Sequence, residues 1–248
     1  MPIFNSPRLR HSESSSDENP YWMSFSDIMA GLLVIFILAC VVLLLQLMEI
    51  KNKVQFDVED LQKANQIRQQ LIEEIAKRLE QEGVTVEVSD NHTVLRIPDK
   101  QLYFKTNSAE IQPEHKRIVS EIGRVLYVSI SDPKKLRYLD TIFIEGHTDS
   151  RRAKRFPMGN WGLSAFRAIS IWTFWTEKTD YGNGLKELRN SHGKPLFSVS
   201  GYAASRKVEQ QEVTANQRRK NRRIDIRFTT RQPSEKEYKA VLDFLPGD

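Results

Sequence analysis

Hydrophobic and polar positions divide this chain into three regimes. Residues 1–20 are polar, with Ser12, Ser14, Ser15 and Ser16 set among mixed charges. Such a segment buries too little apolar surface to fold, so a disordered tail is expected. From Ile28 to Met48 no charged residue occurs, and Tyr21 and Trp22 stand just ahead of that run. At about 1.5 Å per helical residue the uncharged run spans roughly 31 Å, close to the hydrocarbon thickness of a bilayer. The pattern therefore predicts a membrane-spanning helix over residues 21–48, with the two aromatics at an interface. Residues 49–83 are charged but helical in period, and form a stalk or linker. Val54, Val58, Leu61, Ile72, Ile75 and Leu79 fall on one seam once Asn65 and Arg68 are counted in it. Either a short coiled coil joining two copies or a helix lying against the folded domain or the membrane would satisfy that seam.

Beyond Gly83 the period changes to that of mixed structure, and one folded domain is expected over residues 84–232. Residues Val84–Val88 and Thr93–Ile97 alternate as strands around the turn pair Asp90 and Asn91. A helix follows Pro113, with Ile118, Ile122, Val125 and Leu126 on one face. Thr141–Glu145 reads as a strand, Ser164–Trp175 as a helix, Phe197–Ser200 as a strand and Arg223–Phe228 as a last alternating strand. The order β-β-α-β-α-β-β is that of an α+β sandwich with helices on one face of the sheet. Glu177–Pro195 reads as a long surface excursion. In the tail, residues 233–248, Glu235–Leu245 is a candidate short helix.

Composition sharpens this picture. Over 248 residues the mean hydropathy is -0.49 and the formal net charge +5, so the long apolar run stands out against a strongly polar remainder. A uniform soluble globule is excluded. The run exceeds the apolar core of about 7 to 15 residues found in cleaved signals and closes on Leu45–Glu49 without small residues, which points to a retained anchor. Flanking charges do not favour a cytoplasmic N-terminus: Arg8 and Arg10 are offset by Glu13, Asp17 and Glu18, while Lys51, Lys53 and Lys63 follow the span. Cys40, the single cysteine, lies inside the run, so neither an intrachain disulfide nor a cysteine metal site can form. The five histidines show no pair at metal-ligand spacing. No phosphate loop, nucleophile elbow or HExxH motif occurs, so the chain reads as a transducer without a catalytic site, cofactor or metal. The sequence pI of about 9.2 and the basic run Arg218–Arg223 raise nucleic-acid binding. That run leads straight into a strand without interleaved aromatics, so direct nucleic-acid binding is not expected.

Asp27 precedes the uncharged run by one position. A carboxylate costs on the order of 2.5 to 3.5 kcal/mol at the bilayer centre and less nearer the interface, so it is kept there for ion movement or for pairing with a partner. An interfacial N-cap is the plain alternative. Ser24 and Ser26 add two more polar groups at the mouth of the span, which favours a protein partner or a water-filled path.

The string Tyr21–Leu33, with Phe25, Ser26, Asp27, Ile28 and Met29 at its centre, resembles the transmembrane signature of the MotB family, the B subunits of ion-driven stator motors. That resemblance implies that Asp27 carries the translocated ion, a proton or alternatively sodium. Ile28 and Met29 lean towards the proton. A second set of landmarks lies downstream: Glu145–Asp149, Asn160–Ala168, Gly201 with Tyr202, and Asn221–Ile224. In that order they resemble an OmpA-like peptidoglycan-binding domain. The resemblance places the N-terminus in the cytoplasm and the domain in the periplasm of a bacterial inner-membrane, single-pass protein.

Peptidoglycan stem peptides present a diaminopimelate group with an ammonium and a carboxylate, which calls for an acid and an arginine held at a fixed separation. Asp149 and Arg167 match those family positions, and the planar guanidinium suits a carboxylate. Asn160, Leu163 and Thr148 match the positions that frame the pocket. For Gly146 a backbone role is expected, and for Asn221, Arg222 and Arg223 structural pairing at the final strand. The compact stalk and the Tyr21–Gly31 segment most resemble the B subunit of the Zorya anti-phage defence systems. That resemblance implies a MotA-like or ZorA-like membrane subunit forming a ring around a dimer of this chain, in a 5:2 ratio, alongside peptidoglycan and membrane lipid. Flagellar-type stators share the module, and a passive wall anchor needs only part of it.

Overall fold

The computed structural model describes residues 20–232, with side chains from Tyr21 onward. The tail before Pro20 and residues 233–248, including the candidate helix Glu235–Leu245, lie outside the described residues. Helix α1 (Pro20–Gln81) belongs to two compact units, Met1–Val54 and Gln55–Asp248, which are taken in turn.

In the first unit, apolar side chains cover every side of the helix. Residues such as Leu33, Phe36, Val42 and Leu45 are all more than half exposed, and the mean hydropathy of its most apolar window reaches 3.3. The helix is long and apolar enough to cross a membrane. A surface that is apolar all round has no single face to turn towards a protein core, which is the pattern of a lipid-embedded segment.

In the second unit, α1 supplies Ala64, Leu71, Ile72, Ile75 and Leu79, all fully buried, and the last four join the main hydrophobic core. Of the two arrangements open for the seam, this part of the helix packs against the folded domain. Its phase runs through Ala64, whereas Asn65 is exposed and Arg68 sends Nε 3.2 Å to the His92 carbonyl. A small apolar side chain enters the interface where an amide would have to be desolvated. The helix ends at Gln81, and the chain turns off it at Gly83, whose φ of +75° few other residues adopt. Val84 N–H then reaches back 2.8 Å to the Leu79 carbonyl, and Val84 is buried as the hydrophobic partner of this cap. That use of Val84 explains why the first strand begins later than its alternation suggested.

Five strands form one sheet: β1 (Glu87–Ser89), β2 (Val94–Pro98), β3 (Leu139–His147), β4 (Phe197–Gly201) and β5 (Arg223–Thr230), in the order β1-β2-β5-β3-β4. β3 and β4 pair in parallel and the other neighbours are antiparallel. A 3-10 turn at Pro113–His115 leads into α2 (Lys116–Ile130), followed by α3 (Pro133–Leu136), α4 (Gly159–Lys178), α5 (Gly182–Glu187) and α6 (Ala215–Asn221). The expected α+β sandwich is therefore present. Leu95, Ile97, Ile142, Ile144, Ile224, Ile226 and Phe228 form one sheet face and share the core with α1, α2 and α4. Trp175 of α4 is wholly buried there, its indole N–H donating to the Val119 carbonyl at 2.6 Å.

Gly146 has the backbone role expected of it. A Cβ at that position would lie 2.0 Å from the Ser164 carbonyl, so α4 crosses β3 at a spacing only glycine permits. Residues 177–195 depart from the surface excursion expected of them. They hold α5, whose Leu185 is buried, and Tyr181 donates its hydroxyl to the Ser120 carbonyl at 2.7 Å. A single buried leucine and one tyrosine anchor are too sparse a pattern to register as periodicity.

The alternate positions of the same strands carry charge. Arg96 forks onto Asp225 at 3.1 and 3.3 Å, Arg223 donates to Asp225 at 2.9 Å and Arg227 to Glu145 at 2.9 Å. Tyr202 stacks on His147 within this layer, with ring centroids 5.5 Å apart, and the Arg206 guanidinium lies 3.8 Å from the Tyr202 ring centre.

Candidate functional site

Strand register sets the site. The pairing of His147 with Arg223 places the end of β3 beside the start of β5, so the next residues outward, Thr148 and Asp149 on one side and Arg222 on the other, meet beyond the sheet. Across from them, Asn160, Leu163 and Arg167 recur at spacings of three and four on α4, which puts them on one helix face. A cavity of about 460 Å³ opens between these elements, lined by Thr148, Asp149, Asn160, Leu163 and Arg167. The five pocket residues expected from the sequence thus come together. Tyr103, Phe104, Arg151, Arg152, Arg219 and Arg222 are also part of the wall.

Each side chain is held by the chain around it. Asn160 accepts from Ala153 N–H at 2.8 Å and donates to the Asp149 carbonyl at 3.1 Å, fixing the loop that carries the acid. Arg167 is 5% exposed; its Nε donates to the Ser108 carbonyl at 3.0 Å, its Nη2 to the Lys105 carbonyl at 3.3 Å, and it stands over the Phe104 ring. One edge of its fork therefore secures the loop after β2, leaving Nη1 for a ligand. The buried Thr148 hydroxyl has no hydrogen-bond partner among the described residues. A buried polar group without a partner is costly, and one at a cavity wall is suited to a ligand.

Asp149 accepts from the backbone N–H and the guanidinium of Arg151, both at 3.0 Å, and from Arg222 at 2.9 Å. Burial raises its carboxyl, but the hydrogen bonds from Arg151 and Arg222 outweigh that and hold it below the ordinary value. Arg222 also reaches Asp99 at 2.9 Å, bridging two buried carboxylates. Burial pushes Asp99 up in spite of Arg222 and Arg219. It also pulls Arg167 down to about 10, against the pull of Asp99. Arg222 and Asp99 were not foreseen as site residues. Arg222 stands in a basic run and in the Asn221–Ile224 landmark, and structural pairing was expected of it; the pairing is real, and one partner is the pocket acid itself.

Most of the remainder of that run is engaged within the domain by hydrogen bonds, Arg219 excepted, which stands 3.7 Å from Asp99. Arg218 donates to the Glu212 and Val213 carbonyls, Lys220 pairs with Glu209, and Arg223 with Asp225. Asn221 accepts from the backbone N–H groups of Val208 and Glu209, as expected of a structural residue.

Glu145, His147 and Asp225 bring potential metal-ligand atoms within 4.8 Å of one another, a grouping that linear spacing did not show. Arg96, Arg206, Arg223 and Arg227 pair with these two acids, so the surrounding charge opposes a cation. Burial, aided by Arg223, pushes His147 down to about 3 and leaves it neutral. Asp27 belongs to the first unit, exposed on α1 and within one turn of Ser24 and Ser26.

Residues 103–222 match the OmpA family, so the chain carries an OmpA-like domain. The structure is similar to that of a MotB-like protein from Desulfovibrio vulgaris, at a TM-score of 0.50 and 19% identity, covering 68% of this chain and 98% of that one. It is also similar to the periplasmic domain of Helicobacter pylori MotB, at a TM-score of 0.46 and 20% identity over 65% of this chain and 92% of that one. The cell wall anchor of the T6SS from Pseudomonas aeruginosa gives a TM-score of 0.44 and 22% identity, covering 66% and 99% of the two chains. No curated protein matches the chain.

Proposed function

We propose that this chain is the wall-anchoring B subunit of a proton-driven rotary motor of the bacterial inner membrane, acting in Zorya-type anti-phage defence. The observation that carries the wall-binding part is the convergence of Asp149, Arg167, Asn160, Leu163 and Thr148 on one cavity. An acid and a guanidinium on rigid elements, beside a buried hydroxyl that lacks a partner, suit a diaminopimelate stem peptide. The OmpA family match over residues 103–222 supports the same assignment.

The apolar helix supports a single pass; the resemblance to MotB-type subunits, and not the flanking charges, is the ground for setting the N-terminus in the cytoplasm and the OmpA-like domain in the periplasm. Two copies sit inside a ring of MotA-like subunits, five to two, and Asp27 carries the ion. Each proton crossing about 100 mV delivers roughly 2.3 kcal/mol. Torque requires a fixed stator, which is the mechanical reason to join an ion-carrying span to a wall-binding domain. Three polar residues, Ser24, Ser26 and Asp27, at the mouth of an otherwise apolar span favour this reading over a passive tether.

The test is phage plating on cells carrying this gene with its genomic neighbours, comparing wild type, Asp27→Asn and Arg167→Ala at matched membrane levels. Protection by wild type and its loss in both variants is the expected result. Protection that survives Asp27→Asn would leave a passive anchor. No protection by wild type would point to a flagellar-type stator, to be followed in a motility assay.

A further inference from the structure

The cavity holds more positive charge than a zwitterionic ligand requires. Five arginines line it against one acid, Asp149, with Asp99 behind them as a second. Both acids are already engaged. Arg222 contacts each at 2.9 Å, and Arg151 adds a second guanidinium to Asp149 at 3.0 Å. Three cationic groups are left with donors to spare. Arg152 is exposed and makes no side-chain hydrogen bond or ion pair among the described residues. Arg219 is about half exposed and stands 3.7 Å from Asp99, beyond hydrogen-bond distance. Arg167 retains Nη1 after its two bonds to backbone carbonyls.

An ammonium entering this cavity meets one carboxylate that two arginines already neutralise, whereas a carboxylate meets three guanidinium groups with free donors. A carboxamide in the same place brings no charge, and its NH2 turns donors towards donors. We propose that the pocket selects stem peptides by their free carboxylates, binding unamidated diaminopimelate stems in preference to amidated ones, with Arg152 and Arg219 as the specificity-determining residues. The selection rests on the pocket being a peptidoglycan site. It adds which chemical form of the wall that site grips.

The experiment is isothermal titration of the full chain in detergent micelles with two synthetic stem peptides of one sequence. In one, the diaminopimelate and glutamate carboxyls are free; in the other they are carboxamides. The free-acid peptide is expected to bind at least about tenfold more tightly at low salt, as the loss of one charge-assisted contact implies. Added salt should narrow that gap, because Arg152 and Arg219 are solvent-exposed. In an Arg152→Gln, Arg219→Gln double variant the two peptides should come to within about threefold of each other. Equal affinity of wild type for both peptides would overturn the selection while leaving the pocket as a wall site. A tenfold preference kept by the double variant would overturn the role of the two arginines. Binding of neither peptide would remove the wall-binding reading, and the selection with it.

Discussion

Arg222→Gln probes the link between the fold and the pocket most sharply. Arg222 bridges Asp99 and Asp149 at 2.9 Å each, and its own side chain is 18% exposed. Removing one member of a buried ion pair costs about 3–5 kcal/mol when the other charge is left without a partner. Here the loss is partly offset. Asp149 keeps Arg151, and Asp99 keeps Arg219 at 3.7 Å. A destabilisation of about 2–4 kcal/mol is therefore expected, read by urea unfolding of the segment from Gln55 onward, which contains the whole hydrophobic core. Adding Asp99→Asn should recover part of that loss, since the double variant no longer buries an uncompensated charge. The pH dependence has a definite sign. Asp149 titrates below its ordinary value in the folded state. Its contribution is thus complete above an unfolded pKa of about 3.9 and is lost as pH falls through the folded value. Without Arg222 the folded carboxyl rises, and the acid limb of the stability curve moves to higher pH. A loss below about 0.5 kcal/mol, within the range of an ordinary surface substitution, would refute the bridge as a structural element, as would further destabilisation on adding Asp99→Asn.

Three further outcomes follow from the same packing. Trp175→Ala should cost about 3–5 kcal/mol in chemical denaturation, because it empties a fully buried site and leaves the Val119 carbonyl without its donor. Gly146→Ala should cost about 3 kcal/mol or more and lower the melting temperature, since its Cβ would lie 2.0 Å from the Ser164 carbonyl, whereas Gly31→Ala, with nothing nearby, should leave the fold intact. His147 stays neutral down to about pH 3 when folded, so the unfolded chain takes up its proton first as pH falls. Stability should be flat in this residue above about pH 6.5 and decline below it by up to about 1.4 kcal/mol per pH unit, a slope that His147→Gln should abolish in urea midpoints measured across pH.

Much of the domain was legible because its strands alternate and its helices repeat. Ile224, Ile226 and Phe228 turn one way and Arg223, Asp225 and Arg227 the other, as a period of two requires. Asn160, Leu163 and Arg167 share a face because three and four are helical spacings. What stayed hidden depends on contacts between distant segments. The phase of α1 could run through Ala64 or Asn65, and only the domain surface selects the alanine. Arg222 looked like one cation among several in a basic run, because its partners lie far away in sequence: Asp99 meets it through the β2–β5 register and Asp149 through the β3–β5 register. The cluster of Glu145, His147 and Asp225 arises from that same register. The short helices α3, α5 and α6 are too brief to show a periodicity.

The central claim is that this cavity grips the cell wall, and co-sedimentation of the full chain with purified peptidoglycan sacculi tests it most directly. Wild type should pellet with the sacculi. Asp149→Asn, which removes the one acid lining the pocket and the carboxylate that holds Arg151 and Arg222 in place, and Leu163→Trp, which fills the cavity from α4, should both remain in the supernatant. Pelleting of both variants to the same extent as wild type would contradict the account, because wall binding would then lie elsewhere on the chain.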